Sequence, residues 1–212
     1  MGVSIEAARR LYAGGESAGA VDAVHDFDHV LRVLALAERI GQAEGADMDV
    51  VRTAVLLHDI ARAEADAHGG DHAAMAAERA RALLRGAPPD FIEAVAHAIH
   101  AHRFRNDLTP RTLEAQVVFD ADKLDAIGAV GVARAFSFGG LHGQRLWVDE
   151  VPPGYDGRVL TGEHTPHHEF HYKLSKIKDG LYTRTGRAIA QERHRFMAAF
   201  FARMADEVAG RA

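Results

Sequence analysis

His58 and Asp59 stand side by side at the end of VRTAVLLHDIA, a run in which Val51, Ala54, Val55 and Leu57 recur at helical spacing. An imidazole and a carboxylate carried into an apolar setting are costly to bury unless a metal ion or a charged partner satisfies them. Histidine nitrogen and aspartate oxygen together are ligands for a first-row divalent ion. Two ligands do not make a site, so other stretches must contribute. HDFDHVLRV supplies His29 upstream, and DADKLDAIG supplies Asp122 downstream. The chain has no cysteine, so any metal must be held by nitrogen and oxygen alone. Such a set suits Mn, Fe, Co, Ni, Zn or Mg, and the residue types do not choose among them.

The order of these residues, a histidine, an adjacent His-Asp pair and a distant aspartate, resembles the HD superfamily of metal-dependent phosphohydrolases. LLHDIAR, VVFDADKLDAIGAVGVARAF and GRAIAQERHRFM look like the branch that includes bacterial nucleotide pyrophosphohydrolases, and the likeness runs from about His25 to Met197. It implies an all-α fold, with His29, His58, Asp59 and Asp122 as the metal ligands. The activity it implies is hydrolysis of a (d)NTP to the monophosphate and pyrophosphate, by water attack at the α-phosphorus. Some HD families hold a second ion with histidines from two further regions. Here these are the start of DHAAMAAERA and the segment AIHAHR. His72 and His102 are favoured, with His97 and His100 as neighbours of the same type. The pyrophosphohydrolase branch looks mononuclear, so one ion is expected, and two if His72 and His102 join.

One departure limits the transfer. HD 5′-nucleotidases carry a glutamate three residues after the HD aspartate, where this chain has Arg62. Glu64 lies about 200° from Arg62 at ~100° per residue, so it does not replace that group.

Phosphoryl cleavage requires neutralised oxygens and an activated water, both within the reach of a bound divalent ion. Cationic side chains complete such a clamp. Arg62 and Lys123 are the catalytic and substrate-binding candidates beside the ligands, and Lys173 and Lys176 are further substrate-binding candidates. Lys178, Arg103 and Arg105 are additional options, although most lysines and arginines on helices simply face water. Asp125, three residues after Asp122, shares its helix face. It could orient Lys123, support the ligands from behind or act as general base. His25 and Asp26 precede His29 by one turn, and capping is the simpler role for Asp26. The tract HTPHHEFHYK, His164 to Lys173, reads as a helix serving structure or substrate contact ahead of a metal site.

Helices must position these groups. Ser4 to Ala13 reads as a short helix with Ser4 as N-cap. His29, Val33, Leu36 and Ile40 place His29 in the first turn of a second helix, ending at Gly41 to Gly45. Asp47 caps a third that runs to His58. Asp66 to Gly70 looks like a loop, and Asp71 caps an alanine-rich helix ending near Gly86. Pro88, Pro89 and Asp90 begin another, with Phe91, Val95 and Ile99 on one face. Leu113 to Phe138 reads as one helix, or two broken near Gly128 or Gly131. Gly139 to Thr165 holds six of the 20 glycines with Pro152 and Pro153, and reads as a long loop that could act as a lid. Thr165-Pro166 marks a helix start continuing to Ile177. The last helix runs from about Arg187 to Val208. No strand is needed.

At 212 residues, with 48% hydrophobic and 26% charged residues, the chain fits one soluble domain, and the resemblance implies that 1–212 is a single HD domain with a core of about 25–200. A net charge of −5 argues against a broad nucleic-acid or acidic-membrane surface, and leaves room for one phosphorylated small molecule, a nucleotide above all. Glu6, Arg9 and Arg10 interrupt the N-terminus where a signal peptide would be apolar, and a cytoplasmic location is expected. A dinuclear-iron oxygenase and a nucleotide-binding sensor with weak turnover are the rival readings. The oligomeric state stays open.

Overall fold

A computed structural model of the chain describes residues 2–13, 27–103, 108–149 and 164–212. Among these residues the architecture is all-α, with no strand beyond an isolated bridge between Arg85 and Ala87. The chain divides into two compact units, Met1–Asp122 with Tyr182–Gly186, and Lys123–Leu181 with Arg187–Ala212.

The first unit is built on α2 (Phe27–Glu44), α3 (Met48–Leu57), α5 (His72–Leu83) and α6 (Pro89–His100). Helix α3 packs against both α2 and α6, and α5 pairs with α6. Two short helices, α1 (Ile5–Ala13) and α4 (Arg62–His68), lie against α3 and α5 respectively. Val33, Ile40, Val51, Val55, Leu57 and Ile99 are among the side chains sealed in its core. Burying each such aliphatic side chain contributes roughly 1.5–3 kcal/mol. Asp47 caps α3 by accepting from the amides of Asp49 (2.9 Å) and Val50 (3.4 Å), and Asp71 caps α5 through Ala73 N (3.0 Å). Ser4 Oγ accepts from Ala7 N at the start of α1.

Helix α7 (Leu113–Asp125) is followed by α8 (Gly128–Leu141). The break falls at Gly128, whose φ of 82° is left-handed and costly for any residue with a Cβ. The second unit also holds α9 (Pro166–Tyr172), a 3₁₀ turn at Leu174–Asp179 and most of α10 (Arg184–Val208). Phe170 stacks on Phe201 at 4.6 Å within it. No single helix among the described residues is long and apolar enough to cross a membrane.

Helix α2 ends at Glu44, inside the expected stretch of Gly41 to Gly45, with Gly45 in the left-handed region just beyond it. A Cβ at Gly41 would meet Met48 Sδ at 2.7 Å, so this glycine permits the close approach of α2 to the start of α3. Several other boundaries differ from the sequence expectations. Of the loop expected over Asp66 to Gly70, the first three residues are the end of α4, which an ion pair between Glu64 and Arg79 ties to α5, and Gly69 and Gly70 form the turn beyond it. The helix from Thr165 stops at Tyr172 and tightens into the 3₁₀ turn. Helix α10 begins three residues before Arg187 because Thr183 Oγ1 accepts from Gly186 N (2.9 Å). Helix α8 continues through Gly139 to Leu141, so the expected loop of 139–165 begins later, and its residues 150–163 lie outside the described residues.

Candidate metal centre

The end of α3 is where the site begins. After Leu57 the backbone leaves the α-helix for a tight turn, with His58 N bonded to Val55 O (3.5 Å), Ile60 N to Leu57 O (3.4 Å) and Arg62 N to Asp59 O (2.9 Å). Such i to i+3 bonds tighten a helix end. The amide of Asp59, freed from the helical ladder, donates to Tyr12 Oη of α1 at 3.2 Å. This turn delivers His58 and Asp59 together into the core, where they are 0% and 4% exposed.

Asp59 is the shared member of two groups able to hold a metal ion, His29–His58–Asp59 and Asp59–His72–His102. Its two oxygens divide the histidines between them. Oδ2 lies 4.0 Å from His29 Nε2 and 3.6 Å from His58 Nε2. Oδ1 lies 3.6 Å from His72 Nε2 and 3.7 Å from His102 Nε2. Asp122 Oδ1 is 3.4 Å from His29 Nε2, on the first side. Structure thus brings together all six residues expected as ligands. Of the three histidines near the end of α6, it is His102 that reaches Asp59, whereas His97 Nε2 accepts from Arg111 N (3.1 Å).

Most of these separations are too long for hydrogen bonds. They match the spacing of atoms that share an ion at about 2.0–2.2 Å from each. Two further observations fit a cation. Asp59 Oδ1 is buried with no hydrogen-bond partner among the described residues, an arrangement costly for a carboxylate in an apolar setting. His58 Nδ1 and His102 Nδ1 face the backbone carbonyls of Val55 (2.7 Å) and Ile99 (2.5 Å). A carbonyl only accepts, so each Nδ1 carries a hydrogen, and in the neutral ring Nε2 offers its lone pair to the centre. Anchoring of this kind orients ligand histidines in metal sites.

Burial by itself would raise the Asp59 carboxyl, but His58, His102 and Arg62 around it outweigh burial and hold it well below the usual carboxylate range. Burial lowers His72, aided by Arg62 and Arg103 and opposed by Asp59, so its imidazole favours the neutral form that a ligand needs. The Tyr12 phenol is raised by burial and by the Asp59 charge, and so stays protonated.

Arg62 is half-buried, with Nη1 3.6 Å from Asp59 Oδ2 and 3.4 Å from His72 Nε2. It is the cation that the structure places at the cluster. Arg103 pairs with the cap residue Asp71 (3.1 Å), beside His72. The remaining candidates belong to the second unit. Asp125 is buried and receives Arg134 Nη1 at 2.6 Å, and Lys123 precedes it in the last turn of α7. Lys173 Nζ pairs with Glu169 (2.8 Å), Lys176 Nζ sits over the Tyr172 ring (5.1 Å) and Lys178 pairs with Asp179. His25, Asp26 and Arg105 lie outside the described residues.

One residue at the site carried no warning in the sequence, and a second, Asp120, has a task there that the sequence did not show. Tyr12 is one aromatic among apolar helix positions, and only the fold reveals its contact with Asp59, 47 residues away. Asp120, about 200° around α7 from the candidate ligand Asp122 at ~100° per residue, is fully buried. It accepts from Tyr182 N (2.9 Å), Thr183 N (2.7 Å) and Thr183 Oγ1 (2.6 Å), pinning the 182–186 segment to the ligand-bearing helix.

An HD domain model matches residues 26–127. The Bacillus subtilis protein YpgQ is 35% identical over 192 residues, covering 88% of this chain and 85% of the relative. The crystal structure of YpgQ in complex with ADP matches at a TM-score of 0.72 and 30% identity, across 99% of this chain and all of the other. An HD-superfamily hydrolase from Bacillus thuringiensis matches at a TM-score of 0.72 and 26% identity, over 97% and 96% of the two chains. Ribonuclease Y of Chloroflexus aurantiacus is 40% identical over 98 residues, which are 46% of this chain and 18% of that much longer relative.

Proposed function

This chain belongs to the HD superfamily, and from that membership we propose that it is a metal-dependent phosphohydrolase acting on a small phosphorylated substrate, specifically a nucleoside triphosphate cleaved to monophosphate and pyrophosphate. The observation that carries the proposal is the buried Asp59 carboxylate, shared between two histidine groups and left with one oxygen unpartnered. YpgQ, similar along nearly its whole length, was crystallised with ADP, which supports a nucleotide as the ligand class here.

In this reading His29, His58, Asp59 and Asp122 hold a divalent ion, which supplies a polarised phosphoryl group and a water of lowered pKa. The protein does the rest. The Val55 carbonyl keeps the His58 ring aimed inward, and the bond from the Asp59 amide to Tyr12 holds the turn from which the carboxylate projects. Arg62, beside Asp59 Oδ2, meets the charge that develops on the phosphoryl oxygens. Lys123, Lys173 and Lys176 are the proposed contacts for the rest of the phosphate chain, with Asp125 supporting Lys123. The net charge of −5 disfavours a nucleic-acid substrate. The likeness to Ribonuclease Y covers too little of that protein to carry its activity over.

A second reading rests on the Asp59–His72–His102 group, which gives the site the ligands for two ions. Two ions suit the hydrolase, and two irons would suit an oxygenase. The test is metal analysis of protein purified with and without oxygen, run beside a nucleotide hydrolysis screen with added Mn and separation of the products. Monophosphate and pyrophosphate, absent in Asp59→Ala, are expected. Two irons per chain without hydrolysis would transfer the assignment to the oxygenase. Tight nucleotide binding without turnover would make the protein a sensor.

A further inference from the structure

The second unit contains a separate pair of imidazoles with the geometry of a chelate. His167 and His171 stand one helical turn apart on α9, and their Nε2 atoms face each other at 2.9 Å. His167 Nδ1 lies 3.0 Å from the carbonyl oxygen of Val148, which can only accept. The hydrogen of a neutral His167 is therefore on Nδ1, and its Nε2 presents a lone pair to His171. The ring is also held from one side by Trp147, stacked at 3.9 Å between centroids and 16° between planes. Trp147 is held in turn by its Nε1–H, which donates to Asp149 Oδ1 at 2.7 Å.

The other polar groups of the tract have their own tasks. His168 and Thr165 form the capping box of α9, with Thr165 N donating to His168 Nδ1 (3.1 Å) and His168 N donating to Thr165 Oγ1 (3.3 Å). Glu169 is occupied by His164 and Lys173. What remains facing solvent is the pair itself, His167 half-buried and His171 exposed.

We propose that His167 and His171 form a binding site for a tetragonal divalent cation, Cu²⁺ or Ni²⁺, distinct from the Asp59 centre. The bite distance selects the class. Two imidazoles each about 2.0–2.1 Å from an ion are about 2.9 Å apart when they subtend a right angle, and about 3.4 Å apart at a tetrahedral one. The observed 2.9 Å, in the free protein a hydrogen bond from His171 Nε2–H to His167 Nε2, equals the right-angled value, so a square-planar or tetragonal Cu²⁺ or Ni²⁺ can replace the bridging proton with little movement of the rings. The Val148 carbonyl and the Trp147 ring fix His167 in advance, so only the exposed His171 must settle on binding. Water fills the open positions on the solvent side.

Trp147 is the single tryptophan of the chain and lies against the proposed ligand, so it reports binding directly. The experiment is a Cu²⁺ titration of the full-length protein, followed by tryptophan fluorescence and by electron paramagnetic resonance. Wild type is compared with His171→Ala, an exposed substitution that leaves the capping box and the core untouched. Saturable quenching is expected, complete with one ion per chain beyond those the Asp59 centre takes up and reversed by chelator, with a tetragonal Cu²⁺ signal bearing nitrogen couplings that is lost in His171→Ala. In His171→Ala the midpoint should rise at least about tenfold, the scale on which orienting and liganding groups count. His167→Gln should do the same. Equal quenching curves in wild type and His171→Ala would overturn the proposal, as would quenching that never saturates in either. Because fluorescence reads Trp147 alone, the result is independent of whether the Asp59 centre hydrolyses nucleotides.

Discussion

Histidines gather twice in this chain, around Asp59 and along α9, and the two gatherings are built differently. Around Asp59 four rings from separate elements converge their Nε2 atoms on one buried carboxylate, 3.6 to 4.0 Å away. Along α9 the rings come from one short segment, and two of the four are absorbed by capping and by Glu169. The α9 tract is the denser in histidine, yet it has no carboxylate at its centre. Density of ligand types is thus a poor guide to a metal centre. Convergence from distant parts of the chain on a charge that has nothing else to bond is a better one. A carbonyl stands behind Nδ1 at His58, His102 and His167 alike, and orients each ring so that its Nε2 points toward the gathering.

The comparison breaks most sharply at Asp59. In Asp59→Ala both ligand groups lose their common member, and hydrolysis should fall by at least about 10²–10³-fold, the scale of one electrostatic stabiliser in a transition state. Bound metal measured by elemental analysis should fall with it. Activity retained within a few-fold would mean that the chemistry happens elsewhere.

Asp120 is the counter-example, a buried carboxylate whose oxygens are taken up by three donors from Tyr182 and Thr183. Asp120→Ala leaves those donors without a partner, and a loss of about 3 kcal/mol is expected from groups so stranded. Urea denaturation reads it. An unchanged midpoint would show that the 182–186 segment does not depend on this anchor.

His102→Ala separates the two halves of the centre. It removes one ligand from the Oδ1 side and leaves His29, His58 and Asp122 in place. Protein that holds two ions should then hold one, with activity reduced by about 10–100-fold, as for a weakened metal environment. If wild type and variant carry the same number of ions, the second group is a cluster of packed histidines and no more.

Much of this was legible in the chain. The period of Val51, Ala54, Val55 and Leu57 announced α3, and Asp47, Asp71 and Thr165 announced their helix starts, because capping is local chemistry. The candidate ligands His29, His58, Asp59 and Asp122 are picked out by the His-Asp pair and its order, His72 and His102 by resemblance to two-ion families, and the fold gathers all six around one carboxylate. What failed to show has a common cause. Helix α4 buries only Ala65, so it has no apolar period to read, and its support comes from Arg79 on α5. The early start of α10 depends on Thr183 and on Glu44, which accepts from Thr185 N across 141 residues. Nothing in composition marks the boundary between the two units at Asp122 and Lys123, because it falls inside the continuous helix α7.

The smallest effect is also the one that sets the two gatherings side by side, through pH. Burial lowers His72 at the Asp59 centre and His171 on α9, so both are held neutral in the fold. A histidine whose folded pKa is depressed contributes stability in full above its unfolded value near 6.5, and loses it as pH falls toward the folded value. Asp59, also depressed, acts in the same direction but lower, its contribution present above the ordinary carboxylate range near pH 4 and lost below it. Chelator-treated protein should therefore lose stability steadily from pH 7 to pH 5, with a slope of up to about 1.4 kcal/mol per pH unit for each proton taken up on unfolding. Urea midpoints across that range measure it. His72→Gln should flatten the slope more than His171→Gln, because His72 is buried and His171 is exposed. Divalent metal should flatten it further, since an ion at Nε2 excludes the proton. Equal slopes in wild type and His72→Gln would assign the acid sensitivity to other groups and remove burial of the Asp59 centre as its cause.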